Sequence, residues 1–291
     1  MTITRLKLAL QKKGRLNDNC MALLLQCGLK FHRKENALLC HCENLALDLI
    51  FVRDDDIPTL VSSGVCDMGI IGENVLREQV SLPGINLSKK LGFSTCRLSI
   101  AVPKEMNYQG VFSLNKRRIA TSYPQLLQQY LNEKNVQAEI VSIAGSVEIA
   151  PRLNMADAIF DLVSTGGTLE ENHLKEVEIV LRSEAVLIQT AAPLSSEKQE
   201  TYDLLLRRIN GVLQAQDSKY IMFHAPREAL PRIAECLPGF ETPTILPLEG
   251  LSTKVAVHVV SREGVFWDTL EKLKALGASS ILVLPIEKML N

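Results

Sequence analysis

The amino-acid sequence predicts an α/β protein with two similar lobes, followed by a separate unit of the order β-α-β-β-α-β. Three observations support this prediction. Short apolar runs alternate with helical patterns over the first two thirds of the chain, which is typical of α/β sheets. Two segments, residues 60–73 and residues 152–166, share a plan of helix end, acidic turn, apolar strand and polar loop. Residues 217–291 then change to four strands and two helices.

The composition favours a soluble protein of two or three domains. The chain has 291 residues, of which 46% are hydrophobic and 22% are charged, so it can form well-buried cores. A formal net charge of -1 gives no overall attraction to nucleic acid or to an anionic membrane. No apolar run reaches the roughly 20 residues of a membrane-spanning helix, and charged residues occupy the place of a signal peptide's apolar segment. We therefore expect a cytoplasmic protein that binds neither nucleic acid nor membrane.

The alternating elements divide the chain into three predicted domains. Residues 1–95, rejoined by residues 183–216, are expected to form the first lobe, and residues 96–182 the second. A largely parallel sheet is expected in these lobes. Residues 217–291 are expected to fold separately with a ferredoxin-like plan, after one long helix over Ser196–Gln216. Clefts between α/β lobes, at the carboxyl ends of strands, are where ligands usually bind.

Seven cysteines are spread irregularly along the chain, and this odd number argues against a disulfide framework. The segment Cys40-His41-Cys42 is the one cluster that resembles a zinc site. On a strand the two thiols would share a face and His41 would oppose them. No second ligand pair with zinc-site spacing follows, so we interpret the segment as an ordinary β-strand.

The strongest local signal is a polar loop between an apolar strand and a helical pattern, with the sequence Ser164-Thr165-Gly166-Gly167-Thr168. Glycines let the backbone approach a ligand closely, and successive N–H groups at a helix start attract an anion. The hydroxyls of Ser164, Thr165 and Thr168 add donors. A capped turn before an ordinary helix is the alternative. The loop is not an ATPase-type phosphate loop, because no Gly-Lys-Ser/Thr follows at the required spacing.

Acidic residues flank this loop. Asp157 and Asp161 flank the preceding strand, and Glu148 lies in the helical pattern over residues 146–153. Carboxylates beside a phosphate loop are expected to meet ribose hydroxyls or to hold Mg²⁺, and solvated surface acids are the alternative. No particular ligand set for the metal follows from the sequence.

Basic residues follow two other apolar strands. Lys12 and Arg15 lie after the first strand, and Arg53 follows the run LDLIF. Positive groups on strand-ending loops suit polyphosphate binding, and arginine adds bidentate geometry. A solvated charge cluster is the alternative. The acidic run Asp54–Asp56 is interpreted in part as a helix cap, with a three-acid metal site as the other possibility.

Eight motifs along the chain read LALQKKGRL, VRDDDIP, DMGIIGENVL, RIATSYP, GSVEIAPR, ADAIFDLVSTGGTL, SKYIMFHAP and KLKALGASSILVLPIEKM. Together they resemble the motifs of the ATP phosphoribosyltransferase family in its long form, which carries a C-terminal regulatory domain. The resemblance runs from Arg5 to about Met289. One departure is visible between Val75 and Leu91, where the chain is shorter than the family pattern.

The resemblance implies a bilobal, periplasmic-binding-protein-like catalytic core. It implies transfer of the phosphoribosyl group of phosphoribosyl pyrophosphate (PRPP) to N1 of ATP, with Mg²⁺ as the cofactor. The products are phosphoribosyl-ATP and pyrophosphate, in the first step of histidine biosynthesis. The implied catalytic residues are Arg15, Arg53 and Glu148, and the polyphosphate-binding residues are Lys12, Arg15 and Arg53. The residues expected to bind PRPP are Asp161, Ser164, Thr165, Gly166, Gly167 and Thr168.

The resemblance also implies feedback inhibition by histidine, through a homo-oligomer that passes from active dimers to less active hexamers. Thr242, Thr244 and Ser280 are the predicted effector residues, and a plain turn and strand edge is the alternative for them. Two other functions remain open at this point. One is a solute-binding protein, which shares the bilobal plan. The other is a subunit that works only with a partner chain.

Overall fold

Three separate β-sheets organise the chain. The computed structural model describes residues 4–34, 37–79, 82–216, 218–236, 242–262 and 266–289. By internal contacts the chain divides into two units: Met1–Ala22 with Leu29–Thr201, and Leu23–Gly28 with Tyr202–Asn291. Two of the sheets belong to the first unit and the third to the second. None of the helices in the described ranges combines the length and apolar character needed to cross a membrane.

Six strands form the first sheet: β1 (Leu6–Gln11), β2 (Leu39–His41), β3 (Leu47–Val52), β4 (Met68–Gly72), β5 (Ile85–Lys90) and β11 (Ala185–Thr190). Their order is β2-β3-β1-β4-β11-β5. β1 pairs in parallel with β3 and β4, whereas β2, β11 and β5 join the sheet antiparallel. The apolar side chains of β1 are fully buried, as expected for a central strand covered on both faces.

Five strands form the second sheet: β6 (Cys96–Pro103), β7 (Arg118–Thr121), β8 (Glu139–Ser142), β9 (Ala158–Val163) and β10 (Leu174–Ser183). Their order is β10-β6-β9-β7-β8, with β7 parallel to β8 and β9. The predicted parallel arrangement therefore holds only for β3, β1 and β4 in the first sheet and for β9, β7 and β8 in the second. β10 and β11 lie in different sheets and only Glu184 separates them, so the chain crosses from the second sheet back to the first at this point.

Among the described residues up to 216, the α-helices are α1 (Arg15–Gln26), α2 (Ile57–Ser62), α3 (Glu73–Glu78), α4 (Pro124–Glu133), α5 (Gly167–Glu171) and α6 (Ser196–Gln216). One local prediction was wrong, and another holds only for the position of the cap residue Asp56. The helix expected over residues 146–153 is a single 3-10 turn, Val147–Ile149, because Pro151 has no N–H to continue it. Asp54–Asp56 also form a 3-10 turn, and the side chain of Asp56 makes no capping hydrogen bond to α2.

The cysteine–histidine segment lies on and just after β2. Cys40 and Cys42 are buried on one side, whereas the side chain of His41 is 64% exposed. His41 Nδ1 lies 2.8 Å from Asp48 Oδ1, which also accepts a hydrogen bond from Arg5. Burial alone would raise the pKa of Asp48, but the hydrogen bonds from His41 and Arg5 together lower it. The histidine therefore serves an ion-pair cluster and points away from the thiols.

The second unit contains the predicted β-α-β-β-α-β order: β12 (Ser218–Pro226), α7 (Leu230–Cys236), β13 (Thr244–Leu248), β14 (Leu251–Arg262), α8 (Phe266–Ala275) and β15 (Ser279–Pro285). The strand order is β13-β14-β12-β15, and every neighbouring pair is antiparallel. Alternate residues of β12 and β14 pack against Ile233 of α7 and Leu273 of α8. This is the ferredoxin-like plan.

Candidate active site

A groove lies where parallel strands of the first two sheets end. Residues that follow β3 and β4 line it from one side, and residues that follow β7 and β8 line it from the other. The groove has a volume of about 410 Å³. Its lining residues are Asp54, Asp55, Val75, Glu78, Gln79, Ser122, Tyr123, Ser142, Ile143, Ala144 and Gly145. Open α/β sheets usually bind ligands at this edge.

A larger hollow of about 800 Å³ lies among α3, β5, α4 and β10. Much of its lining is aliphatic, including Leu82, Ile85 and Leu126, and it contains none of the predicted site residues. The smaller groove instead lies at the carboxyl ends of parallel strands, where α/β sheets usually bind ligands, and Ser122 in its lining contacts the predicted site residue Asp161. The smaller groove at the strand ends is therefore the better candidate, although its volume is about half as large.

The loop Ser164–Thr168 emerges at the same edge of the second sheet as Ser122, because β9 pairs in parallel with β7. Gly166 has a φ of +91°, a conformation that favours glycine, and it precedes the first residue of α5. The side chains of Ser164, Thr165 and Thr168 are exposed. The N–H groups of the first helical turn have no intrahelical acceptor. The loop therefore presents exposed hydroxyls and backbone donors together.

Arg97 anchors the first residue of this loop, Ser164, through a hydrogen bond to its carbonyl oxygen. Its Nη1 donates to the carbonyl oxygen of Ser164 at 2.9 Å, while Nε and Nη2 donate to the two carboxylate oxygens of Glu176 at 2.5 and 2.6 Å. Ser99 Oγ donates to the same carboxylate at 2.6 Å. The hydrogen bonds from Arg97 lower the pKa of Glu176. An ionised, bidentate pair thus fixes where the loop begins.

Asp161 and Glu148 come together beside the loop. Asp161 Oδ1 accepts hydrogen bonds from the N–H of Leu162 at 2.8 Å and from Ser122 Oγ at 3.4 Å. Burial raises the pKa of Asp161 to about 6, and the nearby charge of Glu148 adds to the increase. Asp161 therefore changes charge near neutral pH, at the border between the loop and the groove.

Asp157 does not join this group. It precedes the first residue of β9, so the whole strand separates it from the loop. Asp157 Oδ2 accepts a hydrogen bond from the N–H of Arg118 at 2.9 Å and lies 3.7 Å from Arg118 Nε. Its carboxylate stabilises the start of β7, and the expectation that it faces the ligand was wrong.

The basic residues lie at the corresponding edge of the first sheet. The N–H of Lys12 donates to the carbonyl oxygen of Val52 at 2.8 Å, so Lys12 stands beside the strand end that leads into Arg53. Arg53 and Arg15 are both exposed. Arg15 is the first residue of α1, where a positive side chain opposes the helix dipole unless an anion is bound nearby.

The acidic residues Asp54, Asp55 and Asp56 follow Arg53, and they add negative charge to this side of the groove. Burial raises the pKa of Asp55, and the charges of Asp54 and Asp56 add to the increase. Burial also raises the pKa of Tyr123, with further contributions from Asp161 and Asp54. Throughout the described residues, no group of three or more His, Cys, Asp or Glu side chains is arranged to hold a metal ion.

The predicted effector residues lie in the ferredoxin-like unit. Thr244 is the first residue of β13 and Ser280 belongs to β15, and these strands form opposite edges of the sheet. Three strand spacings of about 4.8 Å separate the two edges. Thr242 and Thr244 lie close together and are exposed, as is Ser280. One copy of the chain therefore does not gather all three residues into one pocket.

Sequence reasoning missed the contacts that join the two sides of the groove. Asn74 and Glu78 of α3 contact Tyr123, Gln125 and Leu126 at the start of α4. The partners are separated by 47 to 49 residues, so no local pattern links them. Arg97 and Glu176 were missed for the same reason, and the one local signal for them is a charged residue within an apolar strand.

Comparison with known families gives two consecutive matches. The model of the HisG family, described as ATP phosphoribosyltransferase, matches residues 53–211. The model described as the HisG C-terminal domain matches residues 215–288. The boundary between the two matches lies at the end of α6.

Among solved structures, the chain is similar to the ATP phosphoribosyl transferase (HisG:HisZ) complex from Thermotoga maritima. The identity is 28%, the match covers 70% of this chain and 98% of that chain, and the TM-score is 0.60. The chain is also similar to the alkanesulfonate-binding protein SsuA from Xanthomonas axonopodis pv. citri, bound to MOPS. That match has 12% identity, covers 73% of this chain and 75% of the other, and has a TM-score of 0.45.

Proposed function

Because the chain belongs to the ATP phosphoribosyltransferase family, we propose that the groove between its first two sheets is where PRPP meets ATP. The family's reaction joins the ribose C1 of PRPP to N1 of ATP and releases pyrophosphate, as the first step of histidine biosynthesis. The observation that carries the proposal is the meeting of an exposed loop of hydroxyl and N–H donors with Asp161 and Glu148, next to that groove.

The loop is proposed to bind the 5′-phosphate of PRPP. The exposed hydroxyls of Ser164, Thr165 and Thr168 and the N–H groups of Gly166 and Gly167 can all donate to phosphate oxygens. Arg97 is occupied by Glu176 and by the carbonyl of Ser164, so it holds the loop in place and leaves phosphate contact to the loop. The two backbone N–H groups are fixed by the fold of the loop, so they need no side-chain movement when the ligand binds.

Asp161 and Glu148 are proposed to face the ribose. Their carboxylates would repel a bare phosphate, but they accept hydrogen bonds from ribose hydroxyls and favour positive charge near the ribose. Positive charge develops on the ribose ring as the bond to pyrophosphate breaks. Carboxylates fixed in advance beside that ring therefore stabilise the transition state more than the ground state.

Lys12, Arg15 and Arg53 are proposed to bind the polyphosphates. Negative charge grows on pyrophosphate as it leaves, and nearby cations stabilise that charge. The position of Arg15 at the start of α1 supports this role, because an anion there would relieve its conflict with the helix dipole. No covalent intermediate is required, since both substrates can be held in line for direct transfer.

A divalent cation, with Mg²⁺ as the proposed ion, fits the residues present. Mg²⁺ usually keeps several waters and binds through one or two carboxylates together with substrate phosphates. Asp161 and Glu148 are the carboxylates that would hold it, which agrees with the lack of a three-residue cage in the described part of the chain. The bound cation would neutralise charge on the pyrophosphate.

The three sheets are proposed to mark three domains, with residues 1–95 and 183–216 in the first, residues 96–182 in the second and residues 217–291 in the third. The third domain contains none of the proposed catalytic residues. We assign it the binding of histidine as a feedback inhibitor, with a homo-oligomer that changes between dimer and hexamer. The enzyme is proposed to work in the cytoplasm, where its substrates are made.

The purified chain, incubated with ATP, PRPP and Mg²⁺, should form an adduct with altered ultraviolet absorbance and release one pyrophosphate for each adduct. A solute-binding protein would release none. A subunit that depends on a partner chain would be silent alone and active only when the partner is added. Adduct formation by the chain alone therefore separates the proposal from both alternatives.

A further inference from the structure

The helix α4 begins without a cap from its own chain segment. Pro124 is its first residue, and the side chain of Tyr123, the residue before it, makes no capping hydrogen bond. The carboxylate of Glu78, on α3, takes that place. Its Oε1 accepts from the N–H of Gln125 at 2.8 Å and its Oε2 accepts from the N–H of Leu126 at 3.0 Å. An acid from the first lobe thus satisfies two orphan donors of a helix in the second lobe.

A second contact joins the same two helices. Asn74 lies four residues before Glu78, so both side chains project from one face of α3. Asn74 Nδ2 donates to the hydroxyl oxygen of Tyr123 at 2.9 Å. The first residues of α4 are therefore held at two points by one helical turn of the other lobe.

Asn74 is itself fixed at the point where the chain crosses between the sheets. It is only 4% exposed. Ser183 Oγ donates to its Oδ1 at 2.8 Å, and the N–H of Asn74 donates back to Ser183 Oγ at 3.0 Å. Ser183 ends β10, and β11 begins two residues later in the first sheet. The amide of Asn74 has a partner on both its oxygen and its nitrogen, so its orientation is determined.

These contacts border the groove on the side of the ribose-facing acid. Glu78 and Tyr123 both line the groove. Ser122, the neighbour of Tyr123, lies 3.4 Å from the carboxylate of Asp161. A shift of the start of α4 would therefore change both the distance between Ser122 and Asp161 and the width of the groove.

We propose that Asn74 and Glu78 are positioning residues that clasp the start of α4 and so hold the two lobes in the arrangement needed for phosphoribosyl transfer. The four residues Asn74, Glu78, Tyr123 and Ser183 form this interlobe clasp. The inference rests on the proposed function for its kinetic part only. The clasp itself is a property of the protein without substrate and can be measured without any turnover.

The test measures hydrogen exchange at single amides of the full-length protein without substrate. The N–H groups of Gln125 and Leu126 have no acceptor inside α4, so their protection should depend on Glu78. Glu78→Ala should speed their exchange by about tenfold or more, as expected when a hydrogen bond to a charged group is lost. Glu78→Gln keeps one acceptor oxygen and should give an intermediate effect, which also serves if the alanine variant folds poorly. Glu133→Gln, at the other end of α4, is the matched control and should leave both amides protected.

Kinetics then test the positioning role. Glu78→Ala and Asn74→Ala should each lower kcat/KM for PRPP by about tenfold. Tyr123→Phe should add little to Asn74→Ala, because the two changes remove the same hydrogen bond, whereas a general loss of stability would add. Unchanged exchange in Glu78→Ala would overturn the clasp. Faster exchange with wild-type kinetics for PRPP would overturn its positioning role. A wild-type protein without any turnover would refute the proposed function and leave the exchange result to decide on the clasp.

Discussion

Thr168 tests the phosphate loop with little disturbance of the fold, because its side chain is exposed. If its hydroxyl donates to the 5′-phosphate, Thr168→Ala loses one charge-assisted hydrogen bond of about 1.5–3 kcal/mol. The Kd for PRPP should then rise on the order of 10- to 100-fold. Calorimetric titration with PRPP measures the change.

Thr168→Ser is the matched control, because it removes a methyl group and keeps the hydroxyl. Its Kd for PRPP should stay close to that of the wild type. An unchanged Kd in Thr168→Ala, with the thermal transition also unchanged, would mean that the 5′-phosphate binds elsewhere.

The raised pKa of Asp161 predicts that kcat/KM for PRPP depends on pH. Burial raises its pKa to about 6, so the carboxylate is neutral below that pH and charged above it. If the charged form faces the ribose, kcat/KM for PRPP should rise with pH through about 6. Asp161→Asn should remove that limb of the profile and lower the plateau. A profile that keeps the same limb in Asp161→Asn would assign it to another group.

The same shift has an opposite effect on stability. The pKa of Asp161 in the folded state lies above the ordinary value of 3.8, so folding disfavours the charged form. The contribution of Asp161 to the free energy of unfolding should therefore fall as the pH rises from about 4 to above 6. Asp161→Asn should unfold at a temperature equal to or above that of the wild type at pH 8, while being less active.

Some residues of the candidate site could be predicted from the sequence alone, and others could not. The loop Ser164–Thr168 was predictable because its donors are contiguous, and Asp161 was predictable because it lies three residues before the loop. Arg97 and Glu176 were not, because 79 residues separate them and each lies within a strand with several apolar residues. Pairing across a sheet depends on register, which the apolar pattern of one strand does not specify.

Among the helices and strands, the start of α1 is proposed to bind pyrophosphate through Arg15. Arg15 is exposed there and opposes the helix dipole. If it stabilises pyrophosphate in the transition state, Arg15→Ala should lower kcat/KM by about tenfold or more, since each 1.36 kcal/mol of lost stabilisation is tenfold. Steady-state kinetics with both substrates measure the effect, together with the thermal transition.

Lys30→Ala is the control for this change, because it also removes an exposed positive charge from the first unit. It should leave kcat/KM unchanged. Wild-type kinetics in Arg15→Ala would make Arg15 an ordinary surface charge, whose removal only relieves an unfavourable contact with the helix dipole.

The elements that the sequence predicted correctly carry clear signals at both ends. The helix α6 has the predicted bounds, Ser196–Gln216, because its helical periodicity stops at polar residues. β5 was missed because it is an edge strand, and Asn86 and Leu87 are both exposed. Edge strands lack the apolar run that burial on both faces demands. Here pairing with β11 decides the conformation, and no local propensity records it.

At the scale of the whole molecule, the prediction concerns control by histidine. Free histidine should inhibit the full-length protein, and sedimentation should show a larger assembly at the same concentrations. A coupling free energy of about 1–3 kcal/mol would change the apparent affinity 5- to 150-fold. By reciprocity, PRPP should weaken histidine binding by the same factor. D-histidine, which has the same charge and side chain, is the control and should have little effect.

Two substitutions locate the effector pocket. Thr244 and Ser280 lie at opposite edges of the third sheet, so Thr244→Ala and Ser280→Ala should both reduce histidine sensitivity only if the pocket forms between copies of the chain. If only one of them reduces it, the pocket belongs to that edge alone. If millimolar histidine changes neither the rate nor the assembly of the wild-type protein, the regulatory assignment is wrong.

The most direct test of the central claim is a crystal structure of the full-length protein with PRPP and Mg²⁺. Oxygens of the 5′-phosphate should lie within about 3.2 Å of the N–H groups and hydroxyls of Ser164–Thr168. The ribose hydroxyls should face Asp161 and Glu148, with the pyrophosphate toward Arg15 and Arg53. A structure with PRPP bound outside the groove, or with its 5′-phosphate on Arg15 and Arg53 and the loop unoccupied, would contradict the account.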